Sequence, residues 1–240
     1  GSPGPLFGQG VPEAAPQPPS DADYQAVQTD GQLEAMLAAL REAGSFAFDT
    51  ETTGLDPMRA DLVGLSFAAA PGKSWYVPVG HREGAQLSLE TVLARTRPLF
   101  ESPNLKKCAH NANFDLMVLA NHGIYCRGVD FDTMIAAHLL CKSALRLKNL
   151  ALDVLGREMT PITQLIGAGR KQITFDQVPI ESALNYAAAD ADMTWRLREA
   201  LEGPLAGLGL THLMTGLEIP LVPVLVTMQR HGIKLDAGIL

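Results

Sequence analysis

Residues 45–57, SFAFDTETTGLDP, place acidic side chains directly behind an aromatic run. The run has the composition of a buried β-strand, in which successive side chains point to opposite faces. Phe46 and Phe48 are therefore predicted to face the core, while Asp49 and Glu51 share the other face. Such a pair is either the solvated start of a turn, the commoner fate of acidic residues, or a pair of oxygen ligands for a divalent cation. Taken alone, the stretch favours the turn.

The segments around this strand predict an α/β protein with a mixed sheet. Apolar residues at helical spacing predict a first helix before the strand, over residues 29–43. After it, DLVGLSFAAAPGKSWYVPVG (61–80) predicts a hairpin, so that three antiparallel strands open the sheet. Strands and helices then alternate from KKCAH (106–110) to DTMIAAHLL (132–140), which predicts parallel strands added to the same sheet.

The ends of the chain differ in composition from its middle. Residues 1–22 are rich in Pro and Gly without a hydrophobic period, which predicts a flexible linker or tail. Residues 23–205 are expected to form one α/β domain that ends in a long helix. Residues 206–240 predict a connecting helix, interrupted by Pro220 and Pro223, and the beginning of a further, truncated domain.

Composition narrows the function classes. The 240 residues are 47% hydrophobic and carry a net charge of −7, which argues against nonspecific wrapping of nucleic acid, although bound metal ions could reverse the field at a local site. The three cysteines form no CxxC pair, and the N-terminus does not resemble a signal peptide. No run of about 18 apolar residues is apparent. The expectation is a cytoplasmic protein, monomeric by default, without a membrane partner.

Two later segments carry further candidate ligands. Asp115 lies in HNANFDLMVLA (110–120), where Asn111 could cap a helix and an acid in the first turn would favour the helix dipole. Tyr186 and Asp190 are four residues apart on a predicted helix and share a face, which is more often a surface pair. If these acids converge with Asp49 and Glu51, their mutual repulsion requires cations. Such a cluster supports phosphodiester hydrolysis by two metal ions about 3.5–4 Å apart.

The segments FDTETTGLD (48–56), NANFD (111–115) and YAAADADMT (186–194) resemble, in order and spacing, the three motifs of the DEDDy 3′ to 5′ exonucleases. Within that superfamily the chain is most similar to the proofreading domain of bacterial family A DNA polymerases, the DNA polymerase I family, over roughly residues 27–240. The resemblance implies an RNase H-like fold and removal of mononucleotides from a single-stranded or frayed 3′ DNA end. It also implies that residues 206–240 lead into a polymerase domain.

The same resemblance assigns roles to individual residues. Asp49, Glu51, Asp115 and Asp190 would bind two Mg²⁺ or Mn²⁺ ions, and Tyr186 would orient the attacking water. All five are present, which implies an active site. Four residues are expected to contact the substrate. Leu55 would wedge against the terminal base, and Thr52, Asn111 and Arg170 would contact the rest of the DNA strand. Other candidate phosphate contacts are Lys106, Lys107, Lys148 and Lys171.

Two alternatives stay open at this point. One is a nuclease similar to RNase D that trims RNA 3′ ends, which a preference for RNA would reveal. The other is a scaffold domain that binds 3′ ends without cutting them, as degenerate members of the family do.

Overall fold

The computed structural model describes residues 21–236, 238 and 239, so the predicted tail over residues 1–22 lies almost wholly outside the described residues. The strands are β1 (Asp23–Ala26), β2 (Ser45–Thr52), β3 (Leu62–Ala70), β4 (Lys73–Pro78), β5 (Lys106–Ala109) and β6 (Val129–Asp132). The helices are α1 (Asp30–Ala43), α2 (Leu89–Glu101), α3 (Ala112–Asn121), α4 (Thr133–Leu139), α5 (Leu147–Leu155), α6 (Ile162–Ile166), α7 (Ile180–Gly207), α8 (Thr211–Leu213) and α9 (Ile219–His231). Short 3-10 turns occur at Gly169–Lys171 and Phe175–Gln177, and a π-helical segment at Met214–Glu218.

The strands form one mixed sheet in the order β1-β4-β3-β2-β5-β6. Strands β2, β3 and β4 are antiparallel, whereas β5 and β6 extend the sheet in parallel beside β2. The predicted mixed α/β architecture is thus confirmed. Strand β1, which pairs in parallel with β4, was not foreseen, because its four residues DYQA lack a run of apolar side chains.

The side chains of four phenylalanines pack one face of β2 into the core. Among the rings of Phe46, Phe48, Phe67 and Phe100, neighbouring centroids lie 5.2 to 6.5 Å apart, mostly edge to face. All four are fully buried, as predicted for Phe46 and Phe48. The opposite face of β2 is therefore the one that carries Asp49 and Glu51.

The N-terminus of α3 is capped from outside its own sequence. Asn111 occupies the predicted cap position, but its backbone is left-handed (φ 64°) and its side chain makes no capping hydrogen bond. Instead, the carboxylate of Asp132 at the end of β6 accepts hydrogen bonds from the backbone N–H groups of Asn111 and Ala112. The same carboxylate caps α4. Asp132 thus joins two helix N-termini to the end of the sheet.

Helix α7 crosses the sheet at close range. Its side toward the sheet carries the fully buried Ala187, Ala188 and Ala191, whose small side chains let the helix backbone approach β2, β3 and β4. One turn contains both Tyr186 and Asp190, which are buried as well. The position of α7 against β2 brings two of the three sequence motifs together.

The final helices leave many apolar side chains exposed. Thr211–His231 is one helix that, by length and composition alone, is long and apolar enough to cross a membrane, although only 22% of its apolar window is buried. The segment mixes polar and charged residues with apolar ones, so the expectation that no run of about 18 apolar residues spans a membrane stays a prediction. The sequence predicted that Pro220 and Pro223 would interrupt the helix. In the structure, Pro220 lies in the first turn of α9 and Pro223 within it, and the helix continues through both.

Candidate active site

Strand β2 ends in a carboxylate pair that faces away from the phenylalanine core. Asp49 pairs with Ser66 and Glu51 with Gly64 on β3, and a register shift follows Glu51. Asp49 is half-buried and Glu51 is 8% exposed. The pair is therefore enclosed by the protein, which contradicts the solvated turn that the isolated stretch favours.

Helix α7 brings a third carboxylate to this pair. Asp49, Glu51 and Asp190 each offer an oxygen, and these oxygens lie within 4.8 Å of one another. Among the described residues, Glu51 Oε1 and Asp190 Oδ1 are buried without a hydrogen-bond partner. Unpartnered carboxylate oxygens at this separation are the ligand type that hard divalent cations take. The residues present thus fit a metal ion.

Asp115 stands beside the group of three and is held by strand β2. Its Oδ1 accepts hydrogen bonds from the Thr50 backbone N–H at 3.0 Å and from the Thr50 hydroxyl at 2.6 Å. Its charge acts on both Asp49 and Glu51, and for Asp49 it is the largest of the neighbouring charges. The four predicted acids therefore converge.

Burial and mutual repulsion favour the protonated forms of these acids. Burial raises the pKa of Asp115 to about 7, against the hydrogen bonds from Thr50 that favour its charged form. Burial likewise raises the pKa of Asp190 to about 6, opposed by the charge of Lys148 and a hydrogen bond from Tyr186. The pKa values of Asp49 and Glu51 are raised well above their usual range by burial and by neighbouring carboxylates. The cluster needs positive charge to ionise fully at neutral pH.

Tyr186 lies in the wall of this cluster. It is 8% exposed, and its ring packs against Phe175 with centroids 5.8 Å apart. Burial and the charge of Asp190 raise its pKa, so the hydroxyl keeps its proton and can donate it in a hydrogen bond. A neutral phenol beside a carboxylate cluster can orient a water molecule.

The residues predicted to contact the substrate differ in their exposure to solvent. Leu55 follows β2 in a bend and is 95% exposed, and the hydroxyl of Thr52 donates to the Gly54 carbonyl at 2.8 Å. Asn111 is half-buried before α3, whereas Arg170 is exposed in the turn Gly169–Lys171. The role of these four residues as substrate contacts stays a prediction.

Lys107 is not a phosphate contact. Its side chain is fully buried, and its ammonium donates hydrogen bonds to the carbonyl groups of Ser102, Leu105 and Arg127. The prediction for this lysine is wrong because β5 carries it inward, where it holds the loop before the strand to the loop before β6.

A model of the 3′-5′ exonuclease domain of family A DNA polymerases matches residues 24–206. The chain belongs to the 3′-5′ exonuclease family. Two similar relatives are the DNA polymerase I of Pseudomonas aeruginosa, 41% identical over 92% of this chain and 25% of the relative, and that of Chloroflexus aurantiacus, 46% identical over 85% of this chain and 22% of the relative. The exonuclease chain thus spans about a quarter of the length of the curated relatives it matches.

Solved structures of similar fold include polymerase and nuclease chains. The POL domain of Pol1 from M. smegmatis, in complex with DNA primer-template and dNTP, has a TM-score of 0.70 and is 25% identical, over 89% of this exonuclease chain and 33% of that chain. Brucella melitensis NrnC with bound Mg²⁺ has a TM-score of 0.60 at 23% identity, over 81% of this chain and 89% of that chain, which shows the fold alone. The fold is the RNase H-like fold that the family resemblance implied.

Sequence reasoning missed two neighbours of the exonuclease carboxylates. The role of Thr50 could not be read from the strand pattern, because its side chain points to the opposite face of β2 from Asp49 and Glu51, toward Asp115 on α3. Lys148 was considered only as a surface phosphate contact, although its charge acts on three of the carboxylates. Its position at the start of α5 becomes informative only once α5 is known to pack on α7.

Proposed function

We propose that this chain is a metal-dependent 3′ to 5′ exonuclease that releases nucleoside monophosphates from single-stranded or frayed 3′ DNA ends. The observation that carries the proposal is the group formed by the half-buried Asp49 and the buried Glu51 and Asp190, in which Glu51 Oε1 and Asp190 Oδ1 have no partner among the described residues. Membership of the exonuclease family and similarity to DNA polymerase I support the choice of DNA. The natural role is proofreading.

The cofactors proposed are two divalent cations, Mg²⁺ or Mn²⁺. Asp49, Glu51 and Asp190 would hold one ion, and Asp115 together with Asp49 would hold the other, since Asp115 is the carboxylate whose charge acts most strongly on Asp49. When bound, such ions activate a water molecule and stabilise the leaving oxygen of a phosphodiester. Oxygen ligands in this number favour hard cations over Zn²⁺.

The remaining residues of the site would bind and orient the substrate. Tyr186 would hold the attacking water through its neutral hydroxyl, beside Asp190. Leu55, which is almost fully exposed, offers an apolar side chain for the terminal base. Thr52, Asn111 and Arg170 are proposed as contacts to the sugar and phosphate groups of the strand.

The proposed partners are a single-stranded 3′ DNA end and an adjoining polymerase domain. The relatives are DNA polymerases about four times as long as the matched segment, which supports a polymerase domain following residues 206–240. The chain by itself is proposed to be a cytoplasmic monomer.

The test is a denaturing gel of a 5′-labelled single-stranded DNA oligonucleotide incubated with the chain and Mg²⁺, Mn²⁺ or EDTA. A ladder that shortens from the 3′ end with metal, and not with EDTA, is expected. The double variant Asp49→Ala, Glu51→Ala should lose at least about 10³-fold in rate, because both proposed metal positions lose ligands. Glu202→Ala, an exposed acid on α7, is the matched control and should cut normally.

Thermal unfolding separates loss of the site from loss of the fold. The double variant should unfold at the same temperature as the parent in EDTA, or higher, because two repelling carboxylates are removed. Undiminished cleavage by the folded variant would refute the assignment. Faster shortening of an RNA oligonucleotide would favour RNA trimming, and an uncut but bound DNA strand would favour a scaffold.

A further inference from the structure

Lys148 is a basic side chain that interacts electrostatically with Asp190, Glu51 and Asp49. It lies in the first turn of α5, half-buried, with its ammonium 3.9 Å from the centroid of the Tyr186 ring. The same ammonium donates a hydrogen bond to the carbonyl oxygen of Thr160, beyond the end of α5. The lysine is therefore fixed at both a ring face and a backbone group.

The position of this lysine is not explained by the stability of α5. A cation in the first turn of a helix faces the positive end of the helix dipole, which is unfavourable. Removal from water also disfavours the charge and lowers the pKa of Lys148, whereas Asp190, Glu51 and Asp49 raise it. The carboxylates of the site therefore offset part of the cost of burying this charge, and Asp190 contributes most.

We propose that Lys148 is a fixed cation of the exonuclease site that holds the face of Tyr186 and opposes divalent-cation binding by the neighbouring carboxylates. The inference rests on the proposed function, because it assigns a positioning residue to the same site. It differs from a phosphate contact on the surface, since the ammonium is held by Tyr186 and Thr160 within the protein.

Two consequences follow from this geometry, and they have opposite signs. A positive charge beside Glu51 and Asp190 repels an incoming dication, so removal of the charge should strengthen metal binding at a pH where the carboxylates are ionised. The contact with the Tyr186 ring keeps the hydroxyl in place beside Asp190, so removal should also slow turnover. A lysine that merely packs would change stability without tightening metal binding.

The decisive variant is Lys148→Met, which keeps the length of the side chain and removes its charge. Titration of the whole chain with Mn²⁺ in a calorimeter at about pH 8, where protons compete less for the carboxylates, should give tighter binding by about three- to tenfold without DNA. With saturating Mn²⁺, kcat on a single-stranded DNA oligonucleotide should fall by about tenfold while KM changes less. Lys148→Arg retains the charge and the ring contact and should restore the Mn²⁺ affinity of the parent.

Lys142→Met is the matched control, because Lys142 pairs with Asp153 at the surface and should leave both quantities unchanged. Unchanged or weaker Mn²⁺ binding by Lys148→Met would overturn the inference, as would an unchanged kcat. If Lys148→Met does not fold, Lys148→Gln is titrated in its place and the same outcomes apply. A parent chain that binds Mn²⁺ but cuts no DNA would refute the proposed function, while the Mn²⁺ titrations would still decide the role of Lys148.

Discussion

At the scale of single residues, one threonine sets the charge state of a proposed metal ligand. Thr50 gives both its N–H and its hydroxyl to one oxygen of Asp115, and these hydrogen bonds favour the carboxylate over the acid. Without the hydroxyl, the pKa of Asp115 should rise above its present value of about 7. Metal binding and cleavage would then require a higher pH.

Thr50→Val removes the hydroxyl and keeps the shape of the side chain. The acid limb of the rate profile should move to higher pH by about 0.5–1 pH unit, because one of the two hydrogen bonds that Thr50 donates to the charged form is lost. Initial cleavage rates between pH 5.5 and 9 at fixed Mg²⁺ measure this. Thr96→Val is the control, since the buried Thr96 hydroxyl bonds only to the Val92 carbonyl in the hydrogen bonds of the described chain. An unshifted limb would contradict the role of Thr50.

At the scale of elements, the sequence predicted those helix and strand boundaries that neighbouring residues determine. Helix α1 begins at a capping box formed by Thr29 and Gln32 and ends at Gly44 in the left-handed conformation, all of it readable from neighbouring residues. Strand β1 and the capping of α3 by Asp132 depend on residues about 20 to 50 positions away. The carboxylate cluster was predictable through its motifs, whereas the place of Lys148 depends on the packing of α5 against α7.

The packing of strand β3 next to Glu51 depends on a glycine. Gly64 on β3 pairs with Glu51, and a Cβ there would lie 2.3 Å from the ring of Tyr76. The ring is fully buried, and its hydroxyl is 2.7 Å from His81 Nε2, so it has little room to move. The absence of a side chain at Gly64 therefore allows the Tyr76 ring to pack against β3 at the position that pairs with Glu51.

Gly64→Ala should lower the free energy of unfolding by about 1–3 kcal/mol, because the added methyl group overpacks this region. Urea denaturation followed by circular dichroism measures the change. Gly31→Ala in the first turn of α1 is the matched control: a Cβ there meets nothing within 4 Å, so the change should stabilise the helix by up to about 1 kcal/mol. Equal stability of Gly64→Ala and the parent would show that Tyr76 moves aside freely.

At the scale of the whole molecule, the acid cluster links stability to pH and metal. The pKa values of Asp115 and Asp190, about 7 and about 6 in the folded chain, exceed the ordinary value of 3.8. The folded state therefore binds more protons than the unfolded state between about pH 4 and pH 7, and its stability falls as pH rises through this window. His81 and His110 act in the opposite direction up to about pH 6.5, since burial lowers their pKa values.

In EDTA, the free energy of unfolding should therefore fall between pH 6.5 and pH 7.5, where the histidines no longer compensate, by on the order of 1 kcal/mol. Asp190→Asn removes one repelling charge and should flatten this fall. Saturating Mg²⁺ or Mn²⁺ should reverse it, because cations bind the ionised cluster of the folded state and add stability by mass action. Urea denaturation at both pH values, with EDTA and with metal, measures all three effects. A metal-free chain equally stable at both pH values would mean that the four carboxylates are not as strongly coupled as their burial requires.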